Sequence, residues 1–216
     1  MEKTIAIIDY GAGNLQSVKK ALDFIGSPSV ITRDAGVIRA ADAVILPGVG
    51  SFADAMDSMR ASGLTDTVIE SARSGKPFLG ICLGLQLLFE TSEESPGATG
   101  LGVLQGEILR IPQESGLKVP HIGWNSLAIT QPDGIFQGIP QDAYVYFVHS
   151  YYLKAANEAQ VAAHTEYGVL IDAAIQKGNL CATQFHPEKS GRIGLQILRN
   201  FAAMSGKERD SCMQNG

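Results

Sequence analysis

A cysteine between two glycines at residues 80–84, with apolar runs on either side, constrains the fold of this chain more than any other feature. Residues 77–79 favour a strand and residues 85–89 a helix. Cys82 is therefore predicted to stand on the tight turn between them, in the geometry of a nucleophile elbow. Glycines beside it avoid a clash with neighbouring strands. A thiol at a helix N-terminus also faces the positive end of the helix dipole, which favours the reactive thiolate.

The first half of the chain alternates apolar, β-branched runs with helix-like segments, whereas the second half is mostly strand-like. Strands are predicted at residues 3–9, 29–32, 43–46 and 78–81, and helices at 15–26, 51–60 and 65–74. Five further strands are predicted at 102–112, 119–129, 143–154, 159–167 and 173–185, before a closing helix at 192–205. We therefore predict an α/β fold with a mixed, mostly parallel sheet and helices on both faces.

Length and charge predict one domain that binds neither nucleic acid nor membrane. The 216 residues suit a single domain at 1–205, followed by a polar, frayed tail at 206–216. The net charge is −5 and no basic run exceeds two residues, which argues against nucleic acid and anionic membranes. No apolar stretch reaches ~20 residues and no leader-like segment is seen, so we expect a cytoplasmic protein. Charged residues make up only 18%, which predicts a surface partly apolar or covered by a partner.

His186 and Glu188 follow an apolar run and are separated by one proline. Residues i and i+2 of a strand face the same side, and Pro187 stiffens the backbone between them. A carboxylate beside an imidazole fixes its tautomer and stabilises the imidazolium. A free thiol is only a few per cent thiolate at neutral pH, so Cys82 needs such a base. We predict a catalytic triad of Cys82, His186 and Glu188, although the pair alone could be a surface ion pair.

Backbone N–H groups of two segments are candidates for an oxyanion hole. Residues 47–51 follow a strand and precede a helix, so the N–H groups of Val49 and Gly50 could point at a developing oxyanion. Leu83, directly after the predicted nucleophile, is the third candidate. The alternative for residues 47–51 is an ordinary loop with a helix cap at Ser51.

A nucleotide-binding turn is a weaker interpretation of residues 10–14. They follow a strand, precede a helix and are glycine-rich, and Asp34 stands where a ribose-binding acid could fall. Gln16, however, occupies the third glycine position. We predict a tight turn and no cofactor.

The remaining histidines, cysteines and the tryptophan have structural explanations at least as good as functional ones. The three widely spaced cysteines predict neither a disulfide framework nor a metal site, with Cys181 buried and Cys212 incidental in the tail. His149 lies among apolar residues and is expected to be structural rather than a second base, and His164 has no supporting residues in sequence. Trp124 is expected either to pack in the core or in a half-buried position, or to anchor an interface.

Together these segments resemble the triad-type, class I glutamine amidotransferases, and among them the glutaminase subunits of imidazole glycerol phosphate synthases. The resemblance covers residues 5–203 and is carried by residues 9–15, 47–52, 80–86, 119–125, 146–152 and 184–190. The signature of Cys82, His186 and Glu188 defines only the broad class. Its combination with residues 120–125 and 147–151 narrows the resemblance to the synthase subunits. The resemblance implies a flavodoxin-like three-layer sandwich.

The resemblance also implies a mechanism. Cys82 would attack the side-chain amide of glutamine, His186 would pass the proton to the leaving ammonia, and Glu188 would orient His186. Water would then hydrolyse the γ-glutamyl thioester. The residues implied to hold the substrate's polar ends are Gln86, Glu94, Ser150 and Tyr151.

A partner is implied as well. Ammonia would pass through a tunnel into a (βα)8-barrel cyclase subunit of a heterodimer, which makes imidazole glycerol phosphate and aminoimidazole carboxamide ribotide. The residues implied to lie near that interface are Trp124, Asn125, Tyr146 and Lys189.

Val49 between Gly48 and Gly50 departs from the glycine-rich oxyanion loop of the broader class. We hypothesise that the 49–50 peptide rests in a non-productive orientation until the partner docks, because Gly50 can adopt positive φ and permit a flip. Three alternatives stay open: an amidotransferase serving another synthase, a stand-alone cysteine hydrolase, and a thiol redox sensor that uses Cys82.

Overall fold

The computed structural model describes residues 3–113 and 116–205 of the chain. Its first half alternates strands and helices: β1 (Ile5–Ile8), α1 (Leu15–Phe24), β2 (Ser29–Thr32), α2 (Ala35–Ala40), β3 (Ala43–Gly48), α3 (Phe52–Ala61), α4 (Thr65–Arg73), β4 (Phe78–Cys82) and α5 (Leu83–Gln86). Its second half is mostly strand: β5 (Thr91–Ser92), β6 (Gly106–Arg110), β7 (His121–Ser126), β8 (Ala128–Ile129), β9 (Tyr144–His149), β10 (Tyr151–Ala155), β11 (Val161–Glu166), β12 (Leu170–Lys177), β13 (Leu180–Thr183) and the helix α6 (Gly191–Met204). The predicted tail at 206–216 lies outside the described residues.

A mixed sheet of eight strands forms the centre of the fold, in the order β2-β1-β3-β4-β13-β12-β11-β8. The first five strands are parallel and the last three pairings are antiparallel. Two smaller sheets lie beside it, β10-β6-β5 and the two-stranded ribbon β7-β9. The predicted mixed, mostly parallel sheet is confirmed.

Alternation along β1 shows how the sheet separates two cores. Ile5 and Ile7 pack into the core that contains α1 and α6, whereas Ala6 and Ile8 pack into the core that contains α2, α3 and α4. Successive strand residues point to opposite faces, so a strand that is buried on both sides must be apolar throughout. Helices thus cover both faces of the sheet, as the predicted three-layer sandwich requires.

Asp34 caps a helix that the sequence analysis missed. Its Oδ1 accepts hydrogen bonds from the backbone N–H groups of Gly36 (2.7 Å) and Val37 (3.1 Å), at the start of α2. The carboxylate therefore serves the backbone. The glycine-rich turn before α1 is a tight turn, as predicted, with Gly11 and Gly13 at φ +100° and +127°.

Several predicted elements are shorter or divided in the structure. The strand predicted at 143–154 is β9 and β10, the one at 119–129 is β7 and β8, and the one at 173–185 is β12 and β13 joined by a turn. The helix predicted at 85–89 ends at Gln86, because Leu101 donates to the Leu87 carbonyl and Val103 to the Leu88 carbonyl. Within residues 3–113 and 116–205, none of the helices combines the length and apolarity needed to span a bilayer.

Candidate active site

Cys82 ends β4 in a left-handed backbone conformation, with φ 55° and ψ −111°. A non-glycine residue there is strained by about 1–3 kcal/mol, and such strain persists only where surrounding structure holds it. Here β4 is hydrogen-bonded to β3 on one side and β13 on the other. The strand, turn and helix predicted around Cys82 are therefore present.

Close backbone contacts explain both glycines of the elbow. A Cβ on Gly84 would come 1.9 Å from the Leu46 carbonyl oxygen of β3, which is the clash with a neighbouring strand that the sequence predicts. A Cβ on Gly80 would come 2.8 Å from the Gly84 carbonyl oxygen, so that contact lies within the elbow itself. The helix after Cys82 has only four residues, so its dipole contributes less to thiolate stability than the sequence suggested.

His186 and Glu188 form a buried hydrogen-bonded pair. The distance between His186 Nδ1 and Glu188 Oε1 is 2.9 Å, and the two side chains are 3% and 1% exposed. The strand geometry expected for the pair is wrong, because β13 ends at Thr183 and residues Pro187–Lys189 form a 3-10 turn. The turn nevertheless brings the carboxylate to Nδ1, which leaves Nε2 without a hydrogen bond among the described residues.

The protonation state of His186 follows from its neighbours. Burial alone would lower its pKa, but the interactions with Cys82 and Glu188 outweigh burial and raise the pKa of His186 to about 9. The imidazole is therefore protonated at neutral pH. A charged imidazolium beside Cys82 suits a thiolate–imidazolium pair.

A cavity of about 310 Å³ opens between the carboxyl ends of β3 and β4 and the start of β10, where an α/β sheet commonly binds its ligands. Cys82 and His186 both line it, so the structure brings the two predicted catalytic side chains to one site. The predicted oxyanion and substrate-binding residues also line it, namely Val49, Gly50, Leu83, Gln86, Glu94, Ser150 and Tyr151. Of the predicted interface residues, Lys189 lines it as well.

The two glycines of the 47–51 loop differ in their surroundings, because Gly48 is tightly packed and Gly50 has free space around it. A Cβ on Gly48 would come 2.8 Å from the Gly84 nitrogen, so this residue is packed against the elbow. Gly50 has φ +102° and its Cβ would meet nothing within 4 Å. Glu94 holds the far side of the loop, because its Oε2 accepts from the Phe52 N–H at 2.8 Å.

Gln86 and the start of β10 have most of their polar groups already occupied. Gln86 Nε2 donates to the Tyr151 carbonyl and to Gln184 Oε1, both at 3.0 Å. Its Oε1 is thus the atom that it can offer to a ligand. The Ser150 carbonyl accepts from the Ile111 N–H at 2.9 Å. Gln184 was not among the predicted site residues, although it lies two positions before His186.

His149 lines the cavity, and both of its ring nitrogens have hydrogen-bond partners. Its Nδ1 donates to the Tyr151 carbonyl (2.9 Å), so Nε2 accepts from His121 Nδ1 (3.0 Å). The His121 ring stacks on Tyr167 and on Phe147. Burial lowers the pKa of His121 to about 4 and that of His149 to about 3, so both rings are neutral at pH 7.

His164 does have partners, contrary to the sequence analysis. Its Nε2 lies 3.1 Å from Glu158 and its Nδ1 3.1 Å from Asp172, on β12 beside β11. It does not line the cavity. Cys181 is fully buried, as predicted, and burial raises the pKa of its thiol to about 12. In the part of the chain that the structure describes, no group of three or more potential ligands could hold a metal ion.

The β7-β9 ribbon carries three of the predicted interface residues. Trp124 is 54% exposed, which excludes full burial in the core but agrees with half-buried packing, and it meets Tyr146 edge-on across the ribbon. Asn125 Nδ2 donates to the Glu166 carbonyl at 2.8 Å. Ile122 and Tyr144 on the same ribbon are each 59% exposed. The ribbon thus presents large apolar side chains to solvent.

Similarity to known proteins extends over almost the whole chain. A family model described as Glutamine amidotransferase class-I matches residues 6–204. The chain belongs to the class I glutamine amidotransferase family. As a class I glutamine amidotransferase it is 54% identical, over 94% of its length and 95% of the relative's, to the imidazole glycerol phosphate synthase subunit HisH of Moorella thermoacetica. It is 52% identical to the same protein of Methanothermobacter thermautotrophicus, over 91% and 96% of the two chains.

Solved structures agree on the fold of this class I glutamine amidotransferase. A crystal structure of a glutamine amidotransferase superposes with a TM-score of 0.72 at 21% identity, covering 94% of this chain and 98% of that one. The structure of PurLQS from Thermotoga maritima superposes with a TM-score of 0.71 at 19% identity, covering 93% of this chain and 98% of that one. The predicted class I amidotransferase fold is thereby confirmed.

Proposed function

We propose that this chain is the glutaminase subunit of imidazole glycerol phosphate synthase and that it releases ammonia from glutamine for histidine biosynthesis. Relatives about half identical over nearly the whole chain carry that name. The observation that carries the chemistry is the buried His186–Glu188 pair, because the His186 residue lines the same cavity as Cys82 and its Nε2 has no hydrogen bond among the described residues.

In the proposed mechanism, Cys82 attacks the side-chain carbonyl carbon of glutamine as a thiolate. The imidazolium of His186 gives its Nε2 proton to the departing ammonia, which leaves a γ-glutamyl thioester. Neutral His186 then takes a proton from water, and the resulting hydroxide releases glutamate. Glu188 keeps Nδ1 protonated throughout, so that Nε2 always faces the reaction.

The cavity supplies groups for both charged ends of glutamine. Gln86 Oε1 and the Glu94 carboxylate are acceptors that suit the substrate's ammonium group. The carbonyls of Ser150 and Tyr151 are already hydrogen-bonded within the protein. That segment can therefore offer its N–H groups, which suit the substrate's carboxylate.

The oxyanion is assigned to the N–H of Leu83 and to a donor from the 49–50 peptide. Leu83 is the first residue of α5, where N–H groups have no partner inside the helix. Gly50 already has positive φ and free space around it, which supports a flip of this peptide when a partner docks. One missing oxyanion donor costs roughly 3 kcal/mol, or at least about 10²-fold in rate. The isolated chain is accordingly a slow glutaminase.

The partner is a cyclase with a (βα)8 barrel, and the complex is a cytoplasmic heterodimer. The exposed apolar side chains of the β7-β9 ribbon support docking there, because large exposed apolar groups mark interaction surfaces. Lys189, exposed beside the cavity, is assigned to the same interface. Ammonia released at Cys82 passes to the cyclase without entering bulk solvent.

Steady-state glutamate release tests the proposal. The chain is assayed alone and with the cyclase and its ligand, with Cys82→Ala as the matched inactive control. We expect turnover to rise by at least about 10²-fold with the liganded partner and to vanish in the Cys82→Ala variant. Equal rates with and without partner would remove the gating step, and activity in the alanine variant would remove the thioester mechanism.

A further inference from the structure

Gln184 is a fully buried polar residue between Cys82 and Gln86. It follows β13 directly, and its backbone N–H donates to the Ala173 carbonyl at 2.8 Å. Its side-chain Oε1 accepts from Gln86 Nε2 at 3.0 Å, and its Nε2 lies 3.7 Å from Cys82 Sγ. A buried amide needs partners for both ends, and here one of those partners is the sulfur.

The orientation of this amide is fixed by a carbonyl that cannot be a donor. The Tyr151 carbonyl lies 3.0 Å from the Gln86 amide, so Gln86 must present Nε2 there. The second proton of that nitrogen then points to Gln184, which must present Oε1. Gln184 is left with Nε2 toward Cys82 Sγ, because flipping either amide would bring two acceptors or two donors together.

A second contact at the sulfur favours the opposite protonation state. Cys82 Sγ lies 3.9 Å from the Val148 carbonyl, which can accept a bond from a thiol but not from a thiolate. Deprotonation removes this contact and strengthens the one from Gln184, since a donor bonds more strongly to a charged acceptor. The Gln184 amide is therefore a neutral donor to the thiolate, whereas the charged His186 favours the thiolate through its positive charge.

We propose that Gln184 is a further catalytic residue, which holds the Cys82 thiolate in the elbow by a directed hydrogen bond. The inference rests on the proposed role of Cys82 as nucleophile. No covalent step is added, because Gln184 keeps its protons throughout and only the sulfur changes charge. The expected contribution is a thiolate held more strongly than by the elbow and His186 alone, because the amide donates to a charged sulfur.

Alkylation of Cys82 by iodoacetamide between pH 5 and 10 tests the proposal, with Cys82 quantified by peptide mass spectrometry. Gln184→Met keeps the length of the side chain and removes its donor. Gln184→Glu keeps its shape and its acceptor for Gln86, but replaces the donor by an oxygen. We expect alkylation of Cys82 at low pH to slow by about tenfold in the methionine variant, which corresponds to about 1.4 kcal/mol, and to slow further in the glutamate variant.

The methionine variant separates the proposal from a purely structural role. If Gln184 only supported Gln86, Gln184→Met would weaken glutamine binding but would leave the alkylation of Cys82 at the wild-type rate. Slower alkylation in Gln184→Glu is not diagnostic by itself, because a carboxylate so close to the sulfur repels the thiolate in either case. Unchanged alkylation in the methionine variant overturns the proposal while leaving the nucleophile intact. Activity that survives Cys82→Ala would instead overturn the proposed function, so the two failures are distinguishable.

An NMR measurement on Gln184 in the wild-type protein tests the proposal even if the Gln184 variants do not fold. In protein labelled with ¹⁵N in glutamine side chains, we expect the Gln184 amide proton signal to move with pH at the midpoint found by alkylation. The same signal should be independent of pH in the Cys82→Ala variant. A Gln184 signal that does not move in the unaltered protein overturns the proposal.

Discussion

Gly84 at the start of the elbow helix lies directly against Leu46 of β3, so that a Cβ on Gly84 would come 1.9 Å from the Leu46 carbonyl oxygen. Backbone atoms on both sides of this contact belong to the elements that hold Cys82. β3 and α5 can therefore lie this close together only because Gly84 has no side chain.

Gly84→Ala is expected to push α5 away from β3 and to destabilise the protein by roughly 1–3 kcal/mol, the usual cost of overpacking. Glutaminase turnover should fall by more than the loss of folded protein accounts for, because Cys82 moves with the elbow. Thermal unfolding and steady-state turnover check this. Gly26→Ala is the matched control, since a Cβ there meets nothing and only positive φ is strained, at ~1 kcal/mol. Equal losses of activity in both variants would refute this role of the contact.

Activity should fall as pH rises through about 9. His186 is protonated below its raised pKa and neutral above it, and the proposed step needs the imidazolium to protonate ammonia. Glu188→Gln removes the carboxylate that helps to raise this pKa, so the alkaline limb of kcat/KM should move to lower pH. We also expect kcat to fall by roughly 10²- to 10⁴-fold, as for a lost histidine-orienting carboxylate. If the alkaline limb of kcat/KM in Glu188→Gln lay at the same pH as in the wild type, Glu188 would not be raising the pKa of His186.

Stability should decline in acid because of the His121–His149 pair. Both rings have pKa values far below the ~6.5 of an unfolded histidine. The unfolded chain binds protons first, so the free energy of unfolding falls as pH drops from about 6.5 toward 4, by up to ~1.4 kcal/mol per pH unit for each ring. His121→Phe keeps the stacking and removes one titrating ring. Denaturant unfolding of this variant should show a shallower slope with pH, and an unchanged slope would count against the assignment.

Asp34→Ala should lower stability without affecting catalysis. The side chain caps α2 by accepting two backbone N–H groups, and loss of such a cap costs about 0.5–2 kcal/mol. Asp34→Asn retains an acceptor and serves as the matched control, with a much smaller loss. Denaturant midpoints and glutaminase turnover report the two effects separately. A changed KM or turnover would revive a ligand-binding role for this carboxylate.

Trp124→Ala should weaken partner binding while leaving the isolated chain nearly as stable as before, within ~1 kcal/mol. The indole is more exposed than buried and meets Tyr146 edge-on across the ribbon. Titration with the cyclase, followed by calorimetry, measures the affinity. Phe24→Ala at the end of α1, where the ring is 74% exposed, is the control expected to bind normally. Wild-type affinity in Trp124→Ala would place the interface elsewhere.

Sequence patterns predicted the parallel half of the fold because its strands are buried on both faces and read as continuous apolar runs. The elbow was predictable for a different reason, since glycines around a cysteine report a backbone constraint directly. The six-residue helix α2 was missed because so short a segment shows little periodicity. Asp34 was considered only as a ribose-binding acid, in the interpretation that was set aside, and not as a helix cap.

The contacts at the sulfur could not be predicted at all. Gln184 donates toward Cys82 across more than a hundred residues of sequence, and its orientation depends on a carbonyl at Tyr151. The sequence around Gln184 and around Tyr151 does not distinguish these two residues from other polar residues of the chain. The division between β9 and β10 at Ser150 was likewise invisible, since the residues on both sides have strand propensity.

The two-stranded ribbon of β7 and β9 has residues exposed to solvent and residues that line the cavity with Cys82. Trp124 pairs with Tyr146 at one part of it and His121 pairs with His149 at another, next to the Ser150–Tyr151 segment. An isolated two-stranded ribbon is at best marginally stable, and this one is held by Val145 and Phe147, which are buried in the core. A protein that binds the exposed aromatic side chains of this ribbon would therefore contact the same ribbon that supplies Val148 and His149 to the wall around Cys82.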